Sequence, residues 1–239
     1  MKTTEKKVDD FLIDLGNCLG KGAFGDVYSC IKISTGQPFA VKVILKANLV
    51  SGRSMEFFQR ELDILQKVKK RANIINLESV IQSENNYYLF FEMCNGGTLA
   101  GCLKKYTFLY GKPFPEDVVQ QIIKQNCDAL FFLHSNRIIH RDLKLDNILV
   151  QFNSDLALKQ VNLLDATIKL IDFGMARFLD KNDEAQSICG SPITMDPIIL
   201  NNMNKKDKIG NMLTYNFTVD LWALGIISYE LLIGSLPFK

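Results

Sequence analysis

The sequence of 239 residues lacks several features, and each absence argues against a class of protein. Its six cysteines show no C-x-x-C spacing, and four lie in apolar surroundings, which indicates reduced core cysteines of a cytoplasmic protein. Lysine and arginine number 28 against 26 acids, so the charge balance predicts no nucleic-acid partner. No apolar run reaches the roughly 18–20 residues of a membrane span. The first ten residues are charged, unlike a secretory signal.

The hydrophobic pattern changes from strand periodicity to helix periodicity along the chain. Residues 11–45 alternate with period two, and helical periodicity follows over residues 54–70. After two short strand-like runs the chain is mainly helical from Cys94 onward and ends in a helix over residues 218–233. Strands followed by helices predict an α+β fold with two lobes and a cleft between them. The predicted parts are a flexible N-terminus over 1–10, a first lobe over 11–93 and a second lobe over 94–239.

A polar loop with the sequence HRDLKLDN spans residues 140–147 and lies between aliphatic pairs. Asp142 and Asn147 are separated by four residues, with Lys144 between them. This spacing fits H-R-D-x-x-x-x-N, in which the Asp orients a substrate hydroxyl and accepts its proton while the Asn holds a metal ion. A match at so many positions is specific, so we predict a catalytic loop here.

Three glycines form a G-x-G-x-x-G pattern at Gly20, Gly22 and Gly25, which also occurs in dinucleotide-binding folds. A dinucleotide site requires a helix directly after the glycines. Residues 26–33 instead alternate and then turn at Gly36, which predicts a strand hairpin that covers phosphates. A plain glycine-rich hairpin is the alternative. No G-x-x-x-x-G-K-[ST] sequence occurs, which argues against a P-loop enzyme.

Two charged residues stand in apolar surroundings that do not suit an isolated charge. Lys42 lies inside an apolar strand-like run, and Glu61 lies in the apolar stripe of the helix predicted over 54–70. A buried charge loses several kcal/mol of solvation unless it is paired. We therefore predict that Lys42 and Glu61 form an ion pair. The alternative is that Glu61 reaches solvent.

A further acid, Asp172, ends a short apolar run and is followed by Phe173 and Gly174. An acid at a strand end beside Asn147 can chelate a divalent cation through oxygen ligands, which Mg²⁺ prefers. Asp-Phe-Gly by itself is an ordinary turn sequence. Its position downstream of the Asp142 loop predicts a metal ligand instead.

Together these motifs resemble those of eukaryotic protein kinases, in the family's order, from residue 11 to the end of the chain. The sequence His-Arg-Asp-Leu-Lys is similar to the serine/threonine type. The resemblance implies a two-lobed kinase fold, ATP and Mg²⁺ as cofactors, and a protein substrate that carries Ser or Thr. It also implies a nucleotide site in which Gly20, Gly22 and Gly25 cover the phosphates. In that site, Val27 and Ala40 pack on the adenine, and Phe91 is the gatekeeper residue. The backbone of Glu92 and Cys94 forms hydrogen bonds with the edge of the adenine.

The same resemblance implies the catalytic roles. Lys42 contacts phosphates and pairs with Glu61. Asp142 is the base, and Lys144 contacts the transferred phosphoryl group. Asn147 and Asp172 bind Mg²⁺, and Asp220 braces the catalytic loop. Within the kinases, the chain is most similar to the autophagy-initiating ULK group, with calcium/calmodulin-type kinases second. The hinge sequence, the Cys189-Gly190-Ser191-Pro192 segment and an insertion over residues 151–167 carry this similarity. Ser187 matches a site whose phosphate would meet Arg141.

Some positions depart from the family pattern. Leu145 replaces a proline, and Ile198 replaces a glutamate whose arginine partner would follow after Lys239. We therefore interpret the second lobe as incomplete. A glutamate at position 198 would then be a buried charge without a partner. We also expect an apolar patch on helix 218–233 that a regulatory partner covers. A nucleotide-binding pseudokinase or scaffold is the main alternative. A metabolite kinase is disfavoured by the peptide-docking sequence at residues 190–192.

Overall fold

The computed structural model describes residues 4–22, 25–179, 185, 190–202 and 214–238. The predicted phosphorylation site Ser187 lies outside these residues, as does Cys189. The chain divides into two compact units. The N-terminal unit comprises Met1–Lys70 and Ile75–Met93, and the C-terminal unit comprises Arg71–Ile74 and Cys94–Lys239.

The N-terminal unit is an antiparallel sheet with a helix. Its strands are β1 Glu5–Val8, β2 Phe11–Lys21, β3 Gly25–Lys32, β4 Pro38–Leu45, β5 Leu77–Gln82 and β6 Asn86–Glu92, in the order β1-β2-β3-β4-β6-β5. A 3-10 turn at Lys46–Leu49 leads to helix α1, Gly52–Lys67. The Ser51 hydroxyl caps α1 by accepting a hydrogen bond from the Ser54 N–H at 3.1 Å.

The N-terminal segment is ordered where the sequence predicts flexibility. Residues Glu5–Val8 form β1 and pair with β2, from Glu5 opposite Asp14 to Val8 opposite Phe11. The expected flexible N-terminus over residues 1–10 is therefore wrong for this segment. The charged composition misleads because strand pairing uses main-chain groups, and charged side chains are common on edge strands.

One face of this sheet carries an apolar core cluster, formed by Phe11, Ile13, Cys30, Phe39, Val41, Tyr88 and Phe90. The rings of Phe11 and Phe90 stack with centroids 3.8 Å apart. Because successive side chains of a strand point to opposite faces, Lys42 lies on the face opposite Val41. The charged pair of Lys42 and Glu61 therefore lies on the face opposite this cluster.

The C-terminal unit is mainly helical. Its helices are α2 Leu99–Tyr110, α3 Glu116–Ser135, α4 Asp155–Gln160, α5 Pro197–Asn202 and α6 Thr218–Ile233. Its strands are β7 Ile138–Ile139, β8 Ile148–Phe152, β9 Ala166–Leu170 and β10 Arg177–Phe178, paired as β7–β10 and β8–β9. The predicted helix over residues 218–233 and the α+β class are confirmed. Within the described residues, no helix has the length and hydropathy needed to cross a bilayer.

Helix α6 leaves part of its apolar surface exposed. Leu221, Tyr229, Leu232 and Ile233 are 49, 44, 40 and 55% exposed, whereas Ile227 and Leu231 are buried. Ile198 is also 46% exposed. The expectation that a glutamate at position 198 would be a buried charge is therefore wrong, because this position of α5 lies at the surface.

Candidate active site

Four residues predicted to line the nucleotide site share one face of the sheet of the N-terminal unit. Val27 lies opposite Lys42 in the β3–β4 pair, and Ala40 lies two residues before Lys42 on β4. Phe91 lies opposite Ala40 in the β4–β6 pair. Since directly opposite residues and residues two apart point the same way, Val27, Ala40, Lys42 and Phe91 form one continuous surface.

Lys42 and Glu61 form the predicted ion pair on this face. The Lys42 Nζ donates to Glu61 Oε1 at 2.7 Å, and the two side chains are only 15 and 4% exposed. Glu61 is held by α1, whose neighbouring Phe58, Leu62 and Leu65 are buried. The apolar packing of the helix thus presents the carboxylate to the strand and fixes the direction of the Lys42 side chain.

The glycine-rich hairpin joins β2 to β3. Gly20 lies opposite Val27, and the Gly22 N–H donates to the Gly25 carbonyl at 3.1 Å. A Cβ at Gly25 would lie 2.0 Å from the Val43 carbonyl oxygen, so β3 and β4 can approach only at a glycine. Residues 23 and 24 lie outside the described part of the chain. Gly25 therefore has a packing role in the sheet, and phosphate contact by the three glycines stays a prediction.

The two predicted hinge residues fall at the boundary of the units. The Glu92 N–H donates to the Asn76 carbonyl at 3.1 Å, and the Glu92 carboxylate accepts from the Asn76 N–H at 2.7 Å. Both bonds tie the end of β6 to the segment that enters β5. Cys94 is half-buried in the C-terminal unit. Adenine binding by the backbone of Glu92 and Cys94 stays a prediction.

The backbone of the loop that carries Asp142 is hydrogen-bonded to one buried carboxylate. Asp220 of α6 is 1% exposed and accepts from the His140 N–H at 3.0 Å and the Arg141 N–H at 2.8 Å. Its Oδ2 also lies 2.9 Å from His134 Nε2 of α3. Arg141 has a φ of 70°, a strained conformation for a residue with a side chain. The bonds to Asp220 support this backbone and so orient the residue that follows it.

Asp142 itself is contacted at both carboxylate oxygens. Its Oδ1 accepts from the Ser191 hydroxyl at 2.6 Å and from the Ser191 N–H at 2.9 Å. Its Oδ2 accepts from Lys144 Nζ and Asn147 Nδ2, each at 2.9 Å. Burial alone would raise the pKa of Asp142, but the hydrogen bonds from Ser191, Lys144 and Asn147 and the charge of Lys144 bring the pKa below its ordinary value of 3.8. The carboxylate is therefore ionised at neutral pH and fixed in direction.

The predicted metal ligands are also close in the fold. Asn147 Nδ2 donates to the Asp142 carbonyl and carboxylate, so Oδ1 is the amide atom that would bind a cation. Asp172 follows Ile171, whose N–H donates to the Asn147 carbonyl at 2.9 Å. Asp172 has a φ of 62° and an exposed carboxylate. An amide and a carboxylate oxygen fit Mg²⁺, although no three His, Cys, Asp or Glu side chains converge among the described residues.

Ser191 was missed as an active-site residue by sequence reasoning, which assigned residues 190–192 to peptide docking. Its hydroxyl also accepts from Lys144 Nζ at 2.8 Å, so it joins the base and the lysine. The adjacent Gly190 has a φ of 107°, and a Cβ there would lie 2.2 Å from the Arg141 carbonyl oxygen. Gly190 thus lets the segment approach the loop closely. Nothing in a Gly-Ser-Pro sequence indicates this contact.

We expect Ser191→Ala to raise the pKa of Asp142, because one hydrogen bond to the ionised form is lost while the bond from the backbone N–H stays. A lowered folded-state pKa stabilises the protein above the ordinary value of 3.8, and this contribution is lost as the pH falls through the folded value. In the variant, the loss begins at a higher pH. Titration of the Asp142 carboxyl carbon by NMR measures the change, and an unaltered titration would contradict the contact. Ser228→Ala, on α6, is the matched control.

Arg141 has buried contacts of its own. Its Nε donates to the Met175 carbonyl at 2.7 Å, and its Nη1 donates to the Tyr215 hydroxyl at 3.1 Å. The side chain is thereby tied to the segment after Asp172 and to the segment before α6. The predicted phosphate partner Ser187 lies outside the described residues, so its pairing with Arg141 stays a prediction.

Comparison with known proteins gives the same family as the sequence motifs. The protein kinase domain family matches residues 13–239. The chain is 34% identical to the probable serine/threonine-protein kinase fhkC of Dictyostelium discoideum over 94% of its length and 34% of that protein. It is 34% identical to the serine/threonine-protein kinase unc-51 of Caenorhabditis elegans over 98% of its length and 25% of that protein.

A third relative is named as a calcium-dependent kinase. The chain is 33% identical to calcium-dependent protein kinase 27 of Arabidopsis thaliana over 94% of its length and 42% of that protein. The predicted similarity to a ULK-type kinase, unc-51, is confirmed, and the near-equal identity to a calcium-dependent kinase does not favour one group over the other. The chain spans less than half the length of each of these three relatives.

Proposed function

Since the chain belongs to the protein kinase domain family, we propose that it transfers the γ-phosphoryl group of MgATP to a Ser or Thr hydroxyl of a protein substrate. The observation that carries this proposal is the arrangement around Asp142, whose ionised carboxylate is held by Lys144, Asn147 and Ser191. An oriented carboxylate beside a lysine and a metal-ligating amide is what phosphoryl transfer to a hydroxyl requires. The serine/threonine type is supported by Lys144 and by relatives named as serine/threonine kinases.

The proposed roles follow the geometry of each unit. Asp142 orients the substrate hydroxyl and accepts its proton, and Lys144 neutralises charge on the transferred phosphoryl group. Asn147 and Asp172 would hold Mg²⁺, which supplies charge neutralisation at the phosphates when bound. In the N-terminal unit, Lys42, directed by Glu61, contacts phosphate oxygens. Val27 and Ala40 line the surface for the adenine.

The domain organisation and cellular setting are part of the same proposal. Residues 11–93 and 94–239 would act together as one kinase domain in the cytoplasm. A regulatory partner on α6 is supported by the exposed Leu221, Tyr229, Leu232 and Ile233. A nucleotide-binding scaffold without transfer is the competing function, and the replacement of a family glutamate by Ile198 is the observation that favours it.

Transfer from γ-labelled ATP to a mixed protein substrate tests the proposal. We expect label on serine and threonine, its loss when EDTA removes Mg²⁺, and a loss of at least about a hundredfold in Asp172→Asn, because one of the two cation ligands is weakened. The matched control is Asp165→Asn, at an exposed acid of the same unit. Nucleotide binding without transfer by the unaltered protein would establish the scaffold function instead.

A further inference from the structure

Two short strands of the C-terminal unit carry the predicted metal ligands at their ends. β8 begins at Ile148, directly after Asn147, and β9 ends at Leu170, two residues before Asp172. Ile148 lies opposite Leu170 in the β8–β9 pair, and the two strands form a sheet of their own. The register of this pair therefore sets the distance between the Asn147 amide and the Asp172 carboxylate.

A sheet of two strands is at best marginally stable by itself and needs a further strand or a packed helix. β9 is buried, with Ala166, Ile168 and Leu170 at 7, 1 and 0% exposure. It pairs with β8 along one edge. Since buried main-chain groups require hydrogen-bond partners, the groups on the other edge of β9 need partners from elsewhere in the unit.

Gln125 of α3 supplies two of these partners with its side-chain amide. Its Oε1 accepts from the Ile168 N–H at 3.0 Å, and its Nε2 donates to the Ala166 carbonyl at 3.1 Å. One amide thus bonds both a donor and an acceptor of β9, as the main chain of a neighbouring strand would. The bonds fix β9 to a helix of 20 residues.

Asn73, in the segment that precedes β5, completes the same edge. Its Nδ2 donates to Gln125 Oε1 at 2.8 Å and to the Ile168 carbonyl at 3.2 Å. Its main-chain carbonyl accepts from the Leu170 N–H at 2.9 Å. Gln125 and Asn73 therefore form one connected group along β9, which ends beside the residue pair that leads to Asp172.

We propose that Gln125 is a positioning residue for the Mg²⁺ site and acts through β9 on Asp172. The inference rests on the proposed phosphoryl transfer from MgATP. The Ile171 N–H donates to the Asn147 carbonyl at 2.9 Å, so a displacement of β9 along β8 breaks this bond and changes the distance between the two cation ligands. Replacing a residue that holds a metal ligand through hydrogen bonds typically lowers metal affinity by about ten- to a hundredfold.

The first test follows transfer from γ-labelled ATP by Gln125→Met over a range of Mg²⁺ concentrations. Methionine keeps the length of the side chain but lacks the amide. We expect the Mg²⁺ concentration for half-maximal transfer to rise about tenfold, while kcat at saturating Mg²⁺ falls less than about threefold. Asn73→Ala should act in the same direction. The double variant should fall short of the product of the two single effects, because the two side chains share their bonds.

The second test measures Mn²⁺ bound in the presence of a non-hydrolysable ATP analogue, by electron paramagnetic resonance. We expect Gln125→Met to weaken Mn²⁺ binding about tenfold. This measurement does not depend on transfer. If the unaltered chain binds Mn²⁺ and nucleotide but transfers no phosphate, the proposed function fails, and the comparison of Mn²⁺ affinities still decides the role of Gln125.

Two substitutions on α3 are matched controls. Gln121→Met makes the same change at an exposed glutamine one turn earlier. Asn126→Ala removes the adjacent buried amide, whose Nδ2 donates to the Ile122 carbonyl of the same helix at 2.9 Å. Both should leave the Mn²⁺ affinity and the Mg²⁺ dependence unchanged, even where denaturant unfolding shows a loss of stability.

Three results overturn the proposal. In the first, Gln125→Met keeps the Mn²⁺ affinity of the unaltered chain. In the second, Asn126→Ala weakens Mn²⁺ binding by the same factor, which would make the effect one of general stability. In the third, the unaltered chain binds no Mn²⁺ with the nucleotide analogue. If circular dichroism shows that Gln125→Met does not fold, Asn73→Ala takes its place in the same comparisons.

Discussion

Lys42→Met is expected to lower phosphoryl transfer at least about a hundredfold and to lower the free energy of unfolding by about 3–5 kcal/mol. The activity is lost because no cation is left to position the phosphates. The stability is lost because Glu61, 4% exposed, becomes a buried charge without its partner at 2.7 Å. Methionine fills the volume of the lysine stem but cannot compensate this charge. Denaturant unfolding and transfer assays measure the two effects.

The double variant Lys42→Met/Glu61→Gln separates the two effects. Removing the second charge should recover most of the lost stability while transfer stays absent, since a double-mutant cycle isolates the pairwise interaction. Lys7→Met, at an exposed lysine of β1, is the matched control and should alter neither measurement. If Lys42→Met unfolded at the same denaturant concentration as the unaltered chain, Glu61 would have to reach solvent in solution, contrary to the structure.

Asp142→Asn is expected to lower kcat about a thousandfold, within the range for removal of a general base. Asparagine keeps the size of the side chain but cannot accept the substrate's proton. The carboxylate accepts hydrogen bonds from Lys144, Asn147 and Ser191 at its two oxygens. Asparagine replaces one of these oxygens with an amide NH₂ group, which cannot accept them. Steady-state kinetics with saturating MgATP measure the change.

Asp146→Asn, four residues further along the same loop, is the matched control. This acid is exposed and its loss should leave kcat nearly unchanged. If Asp142→Asn kept a kcat as close to that of the unaltered chain as Asp146→Asn does, the assignment of Asp142 as the base would be wrong. A fall in both kcat values by the same large factor would indicate a distorted loop instead.

The amino-acid sequence by itself determined the features whose cause is local. The helix over residues 218–233 follows from a long apolar stretch, and the order of the strands and helices follows from the change in periodicity. Lys42 and Glu61 could be paired without a structure, because each is a charge in apolar surroundings and each needs a partner. The loop at residues 140–147 carries its chemistry within eight consecutive residues.

Only the tertiary structure decided which distant groups complete the site. Ser191 contacts Asp142 across 49 residues, and Asp220 accepts from His140 across 80, because the chain path brings α6 and the 190–192 segment to the loop. The role of Asp220 was expected only because its sequence resembles that of the kinase family, and nothing in the local sequence of Ser191 names its partner. Strand β1 likewise forms through main-chain hydrogen bonds, which side-chain composition does not reveal. Local periodicity thus predicts helices and strands, whereas hydrogen bonds between residues distant in sequence depend on how those elements pack in the tertiary structure.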